Sequence, residues 1–141
     1  MTINLLASQI PMFWEAIKFA VKKADGIDSP KYFNNLLQAL LNNKAQCFVR
    51  LSEDRRLIGI CITRVLADRL TDEQYLYVQS LYSWKYEPDE IWQKDFDLLK
   101  ATARKLNCKY VGCTSSSSRM FDVYQSVGLI EQMRIYSVRV D

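Results

Sequence analysis

The sequence predicts an α+β fold of mixed α/β character: a mostly antiparallel mixed sheet flanked by about four helices. Three observations carry this expectation. Two amphipathic helical segments open the chain, and three β-rich runs then follow one another across polar turns. The last third alternates helix, strand and helix. Because a helix separates the third of those runs from the next strand, the two strands pair in parallel through a right-handed crossover.

Taken in order, Thr2 to Leu6 reads as a short first strand. Ser8 followed by Pro11 marks a helix start, and Ile10, Phe13, Trp14, Ile17, Ala20, Val21 and Ala24 recur at helical spacing up to a stop at Gly26. Ser29 before Pro30 reads as an N-cap with proline at the first helical position. Phe33, Leu36, Leu37, Leu40 and Leu41 give this second helix one apolar face, and it runs to about Asn42.

The period changes at Ala45. Cys47 to Leu51 and Leu57 to Leu66 form a hairpin across Ser52-Glu53-Asp54-Arg55-Arg56. After the polar connection Asp68 to Gln74, Tyr75 to Trp84 is a long aromatic strand with Tyr75, Tyr77, Gln79, Leu81 and Ser83 on one face. Trp92, Phe96, Leu99, Ala103 and Leu106 make a third amphipathic helix, and Lys109 to Cys113 is the fifth strand. Arg119 to Val127 is a short helix broken by Gly128, and Ile130 to Val140 supplies β-branched residues for a final strand or two.

Composition bounds the function. At 141 residues, 49% of them hydrophobic, the chain is long enough to bury one sizeable core, so residues 1–141 are expected to form a single domain. A net charge of +3 comes from scattered residues rather than a basic stripe, which argues against nucleic acid. No secretory leader and no apolar run of membrane-spanning length is present, so no membrane partner and a cytoplasmic location are expected. Cys47, Cys61, Cys108 and Cys113 stand singly and there is no histidine, so no metal site is expected and the thiols read as buried and reduced. Without histidine, any chemistry must run on tyrosine, carboxylates, serine, water or backbone groups.

The ordered elements, closing on Tyr124-Gln125-Ser126-Val127-Gly128-Leu129, resemble a Gcn5-related N-acetyltransferase over nearly the whole chain. The resemblance implies that the parallel fourth and fifth strands splay apart, and that backbone groups at Leu81, Tyr82 and Ser83 pair with the pantetheine arm of acetyl-CoA or another acyl-CoA. It implies that Tyr124, four residues before Gly128, is the acid that protonates the departing thiolate; a phenol is protonated at neutral pH and suits that role. A tyrosine packing its ring on the sheet has the same spacing. Ser116 and Ser117 match polar groups near the fifth strand's end in such enzymes, and equally suit a turn and N-cap.

The chain departs from that family between the fourth strand and the third helix. A glycine-rich loop there would let backbone N–H groups approach a pyrophosphate at a helix N-terminus. This chain has Trp84-Lys85-Tyr86-Glu87-Pro88-Asp89-Glu90-Ile91-Trp92, with no glycine and three carboxylates, against which Lys85 is the one offsetting cation and so a cofactor-binding candidate. Gln79 stands where active relatives often carry a glutamate base, and Glu73 reads as a solvated loop carboxylate. Two functions follow. One is a divergent acyltransferase passing an acyl group from acyl-CoA to a small-molecule or peptide amine. The other is a catalytically inactive domain of the same fold, a regulatory, assembly or protein-interaction module that meets a protein partner or a second copy through Tyr75, Tyr77, Tyr82, Trp84, Tyr86 and Trp92.

Overall fold

The protein is described by a computed structural model covering residues 1–115, 118–132 and 136–140. Its elements are β1 (Thr2–Asn4), a 3-10 turn (Ala7–Gln9), α1 (Ile10–Asp25), α2 (Pro30–Leu41), β2 (Gln46–Leu51), β3 (Leu57–Ala67), β4 (Gln74–Ser83), α3 (Asp89–Lys105), β5 (Tyr110–Cys113) and α4 (Ser118–Ser126). The five strands form one sheet in chain order. β1 to β4 are antiparallel, and β5 joins β4 in parallel with α3 as the crossover.

The helix boundaries follow from local chemistry. Pro11 lies in the first turn of α1, and Gly26, at φ 66, ends it with an N–H to the carbonyl of Lys22. The Ser29 hydroxyl accepts the Tyr32 N–H at 3.3 Å and caps α2. Gly128, at φ 92, stops the chain just after α4.

Each face of the sheet carries its own core. Ile17, Val21, Phe33 and Leu36 of α1 and α2 pack on Cys47, Val49, Ile60 and Ile62. On the opposite face Phe96, Leu99 and Ala103 of α3, with Val127 beyond α4, pack on Phe48, Leu76 and Val78. Burying a side chain such as Phe96 contributes about 2 kcal/mol.

Two expectations are corrected. The strict alternation expected along β4 fails at Gln79, because Ile62 pairs with Ser80 while Thr63 pairs with Val78, leaving Gln79 as an extra residue. Past this bulge the phase shifts: Leu81 joins the α3 core with Leu76 and Val78, whereas Tyr82 packs with α1 and α2. The strand expected over 130–140 is not formed by the residues described there, and 133–135 lie outside the described residues.

The connection between β4 and α3 is held from beneath by Arg50. This guanidinium is buried, ion-pairs with Asp95 of α3, lies 3.4 Å from Glu87 and sits 5.0 Å above the ring of Trp92. Glu87 is only 5% exposed, so it points inward to Arg50 rather than out from the loop. Removing one partner of a buried ion cluster strands the remaining charges. Arg50→Ala is therefore expected to lower the unfolding free energy in urea by about 3 kcal/mol or more. The triple variant Arg50→Met, Glu87→Gln, Asp95→Asn should recover most of that loss, and an equal loss in both proteins would contradict this role.

Candidate active site

β5 accompanies β4 only from Tyr75 to Val78, its last pair being Val78 with Cys113. The Gln79 bulge follows at once, and bulges bend a strand and raise its twist. From that point to Ser83, β4 has β3 on one side and, among the described residues, no strand on the other. The Trp84 N–H bonds the Ile58 carbonyl on β3. Because backbone groups alternate in direction along a strand, those of Leu81 and Ser83 point to the open side.

A cleft of about 980 Å³ lies along this fork, lined by residues of α1, α2, β3, β4 and α4, by Trp92 of α3, by Ile27 after α1 and by Thr114 and Ser115 after β5. Leu81, Tyr82, Ser83 and Tyr124 all line it, so the structure brings together four residues singled out from sequence. Lys85 is not among its lining residues; its ammonium lies 3.9 Å from Glu87. Ser116 and Ser117 lie outside the described residues. The Ser83 hydroxyl turns back to donate to the Lys85 carbonyl at 2.7 Å, leaving the backbone of Ser83 as its contribution to the fork.

Tyr124 stands its ring edge-on to Phe96, with centroids 6.0 Å apart, and its hydroxyl and the Cys113 thiol influence each other's ionisation. Burial pushes the phenol well above its ordinary value, and burial likewise pushes the Cys113 thiol up to about 11. Both therefore keep their protons across the physiological range.

Three residues at the site escaped the sequence. Asp25, the last residue of α1, opens into the cleft and accepts a hydrogen bond from Ser80. Partial burial raises its carboxyl pKa, and the Ser80 hydrogen bond pulls in the opposite direction. Tyr32 of α2 accepts a hydrogen bond from the Gln79 side-chain amide, and burial raises its phenol as well. Arg64 of β3 lies over the Tyr77 ring at 6.0 Å. One signal for Asp25 was available: a carboxylate in the last turn of a helix opposes the helix dipole, an arrangement that needs a reason. Glu73 instead forms an ion pair with Lys109 at 2.9 Å, away from the cleft lining.

Of the six aromatics that crowd one stretch of sequence, Tyr77, Tyr82 and Trp92 line the cleft, and Tyr82 meets Trp84 edge-on with centroids 5.0 Å apart. Trp92 is core, Tyr82 and Trp84 pack on Phe19 of α1, Tyr75 stacks on Tyr110, and Tyr77 hydrogen-bonds Thr114. Tyr86 is 79% exposed.

No protein-family model and no curated protein matches the sequence. Solved structures do. A probable acetyltransferase superimposes with a TM-score of 0.76 at 14% identity, covering 100% of this chain and 98% of the other. An aminoglycoside acetyltransferase from an uncultured soil metagenomic sample gives 0.74 at 17% identity, covering 100% and 96%. The ribosomal-protein-alanine N-acetyltransferase of Brucella melitensis gives 0.72 at 13% identity, covering 99% of each. The chain thus has the Gcn5-related N-acetyltransferase fold, four helices about a mixed sheet with β4 and β5 parallel.

The balance at Asp25 is open to direct measurement. In a carbon-detected NMR titration its carboxyl should titrate above the ordinary value of 3.8, and Ser80→Ala, which removes the hydrogen bond favouring the charged form, should move it higher still. A downward shift in Ser80→Ala would contradict the assignment.

Proposed function

We propose that the protein is an acyl-CoA-dependent N-acyltransferase that works in the fork between β4 and β5. The observation that carries this reading is the open edge at Leu81 and Ser83, with Tyr124 on one side of the cleft and Asp25 on the other. A structural neighbour, an aminoglycoside N-acetyltransferase, was solved in complex with CoA, which supports the same class of donor here.

The residues fit the pantetheine arm, since the outward backbone groups of Leu81 and Ser83 can pair with its amides. When bound, acyl-CoA supplies an acyl carbon activated as a thioester. Asp25 takes the proton that the incoming ammonium must lose before its nitrogen can attack, and its raised pKa narrows the gap to that acid. The second nitrogen proton would leave as the amide forms, matching the one that the departing thiolate takes up to become the thiol, and Tyr124, protonated at neutral pH, would donate a hydrogen bond where negative charge develops on that sulfur.

The N-terminus of α3 fits less well. Pro88 is the N-cap without a side-chain cap, and Asp89 and Glu90 occupy the first turn. The inward turn of Glu87 reduces the repulsion expected from the sequence, and Lys85 is a cation in that connection that could face a phosphate. This helix end favours the second reading, an inactive domain of the same fold that meets a protein partner.

Calorimetric titration with acetyl-CoA separates the two, micromolar binding supporting the enzyme and none at millimolar ligand supporting the inactive domain. In an assay for released CoA thiol, Tyr124→Phe and Asp25→Asn should each lower kcat by about 100-fold with little change in KM for acetyl-CoA. Full activity in both variants would remove these residues from the mechanism.

A further inference from the structure

Among the described residues, the charged side chains lining the cleft are Lys23, Asp25 and Arg64, two cations against one carboxylate. A site built for a polycationic amine would show the reverse balance. Lys23 lies on exposed α1 surface over the Phe19 ring. Arg64 is differently placed: its Nε is shielded from solvent without a hydrogen-bond partner, and among the described residues no carboxylate pairs with it. A shielded guanidinium donor without an acceptor costs stability, so its retention needs a reason. Gln79 Oε1 is shielded and unpartnered in the same way, on the same cleft.

Position decides what Arg64 faces. It pairs across the sheet with Tyr77, on the far side of the Gln79 bulge from Ser83. Six residue steps along the strand lead from Tyr77 to Ser83, roughly 20 Å at ordinary strand rise. Arg64 is therefore too far along the sheet to serve phosphates at the α3 end, and it lines the other part of the cleft, beside Tyr32 and Tyr77.

We propose that the acceptor is an amine that also carries a carboxylate, with Arg64 receiving the carboxylate and Asp25 facing the ammonium. The planar fork of arginine suits a carboxylate bidentately, and the Arg64 guanidinium lies 6.0 Å from the centre of the Tyr77 ring. Tyr32, close enough to feel both charges, and Tyr82 add aromatic surface to the same cleft. This rests on the acyltransferase reading for the cleft.

The test pairs acids with their amides. L-phenylalanine, γ-aminobutyrate and para-aminomethylbenzoate, each beside its carboxamide, and spermidine as a polycation, are titrated into the full chain by calorimetry, then supplied with acetyl-CoA in the thiol-release assay. At least one acid should bind about 10-fold tighter than its amide, with spermidine weakest. Arg64→Gln should abolish that ratio, and Arg64→Lys should keep part of it. Amides or spermidine binding as well as the acids, no binding of any compound at millimolar concentration, or an unchanged ratio in Arg64→Gln would overturn the proposal. Acid-selective binding without thiol release would leave the carboxylate site standing and sink the acyl-transfer reading. Turnover of the amides and spermidine in preference to the acids would do the opposite.

Discussion

Gln79 has no partner on β3, and that one extra residue reorganises everything beyond it. It places Gln79 and Ser80 together toward α1 and α2, where they hydrogen-bond Tyr32 and Asp25. It restarts alternation with Leu81 in the α3 core, and it bends β4 at the point where pairing with β5 stops. β5 ends at Cys113, opposite Val78, so the open backbone edge begins where the bulge begins, and the bulge turns Ser80 to meet Asp25 at the end of α1.

The fork needs a rigid floor, because an open strand edge is otherwise free to recruit another strand. Arg50 provides it by tying the β4–α3 connection and α3 itself to β2 through Glu87, Asp95 and the Trp92 face. The same cluster accounts for a residue that looks hostile to a phosphate ligand in the sequence. Glu87 serves the interior, and the loop meets solvent with Lys85 beside it.

The fold was legible because its elements are locally consistent: proline and serine at helix starts, glycine at helix ends, and apolar periods of helix or strand length. The boundaries of α1, α2 and α3 and the parallel β4–β5 pair followed from those signals. The bulge did not, since Gln79 continues the period of Tyr75 and Tyr77 and only its missing partner on β3 reveals the shift. Half of the site was legible for a related reason. Tyr124 and the Leu81 to Ser83 segment announce themselves by their place in the order of elements, whereas Asp25 and Arg64 come from distant segments that meet only once the sheet has formed.

Amide NMR of the full chain during titration with CoA shows whether the backbone of Leu81 and Ser83 at the open edge receives a pantetheine arm. The N–H resonances of Leu81 and Ser83 should shift and gain protection from solvent exchange, while that of Tyr82, bonded toward β3, stays nearly fixed. Saturable CoA binding that leaves Leu81 and Ser83 unmoved would contradict that pairing.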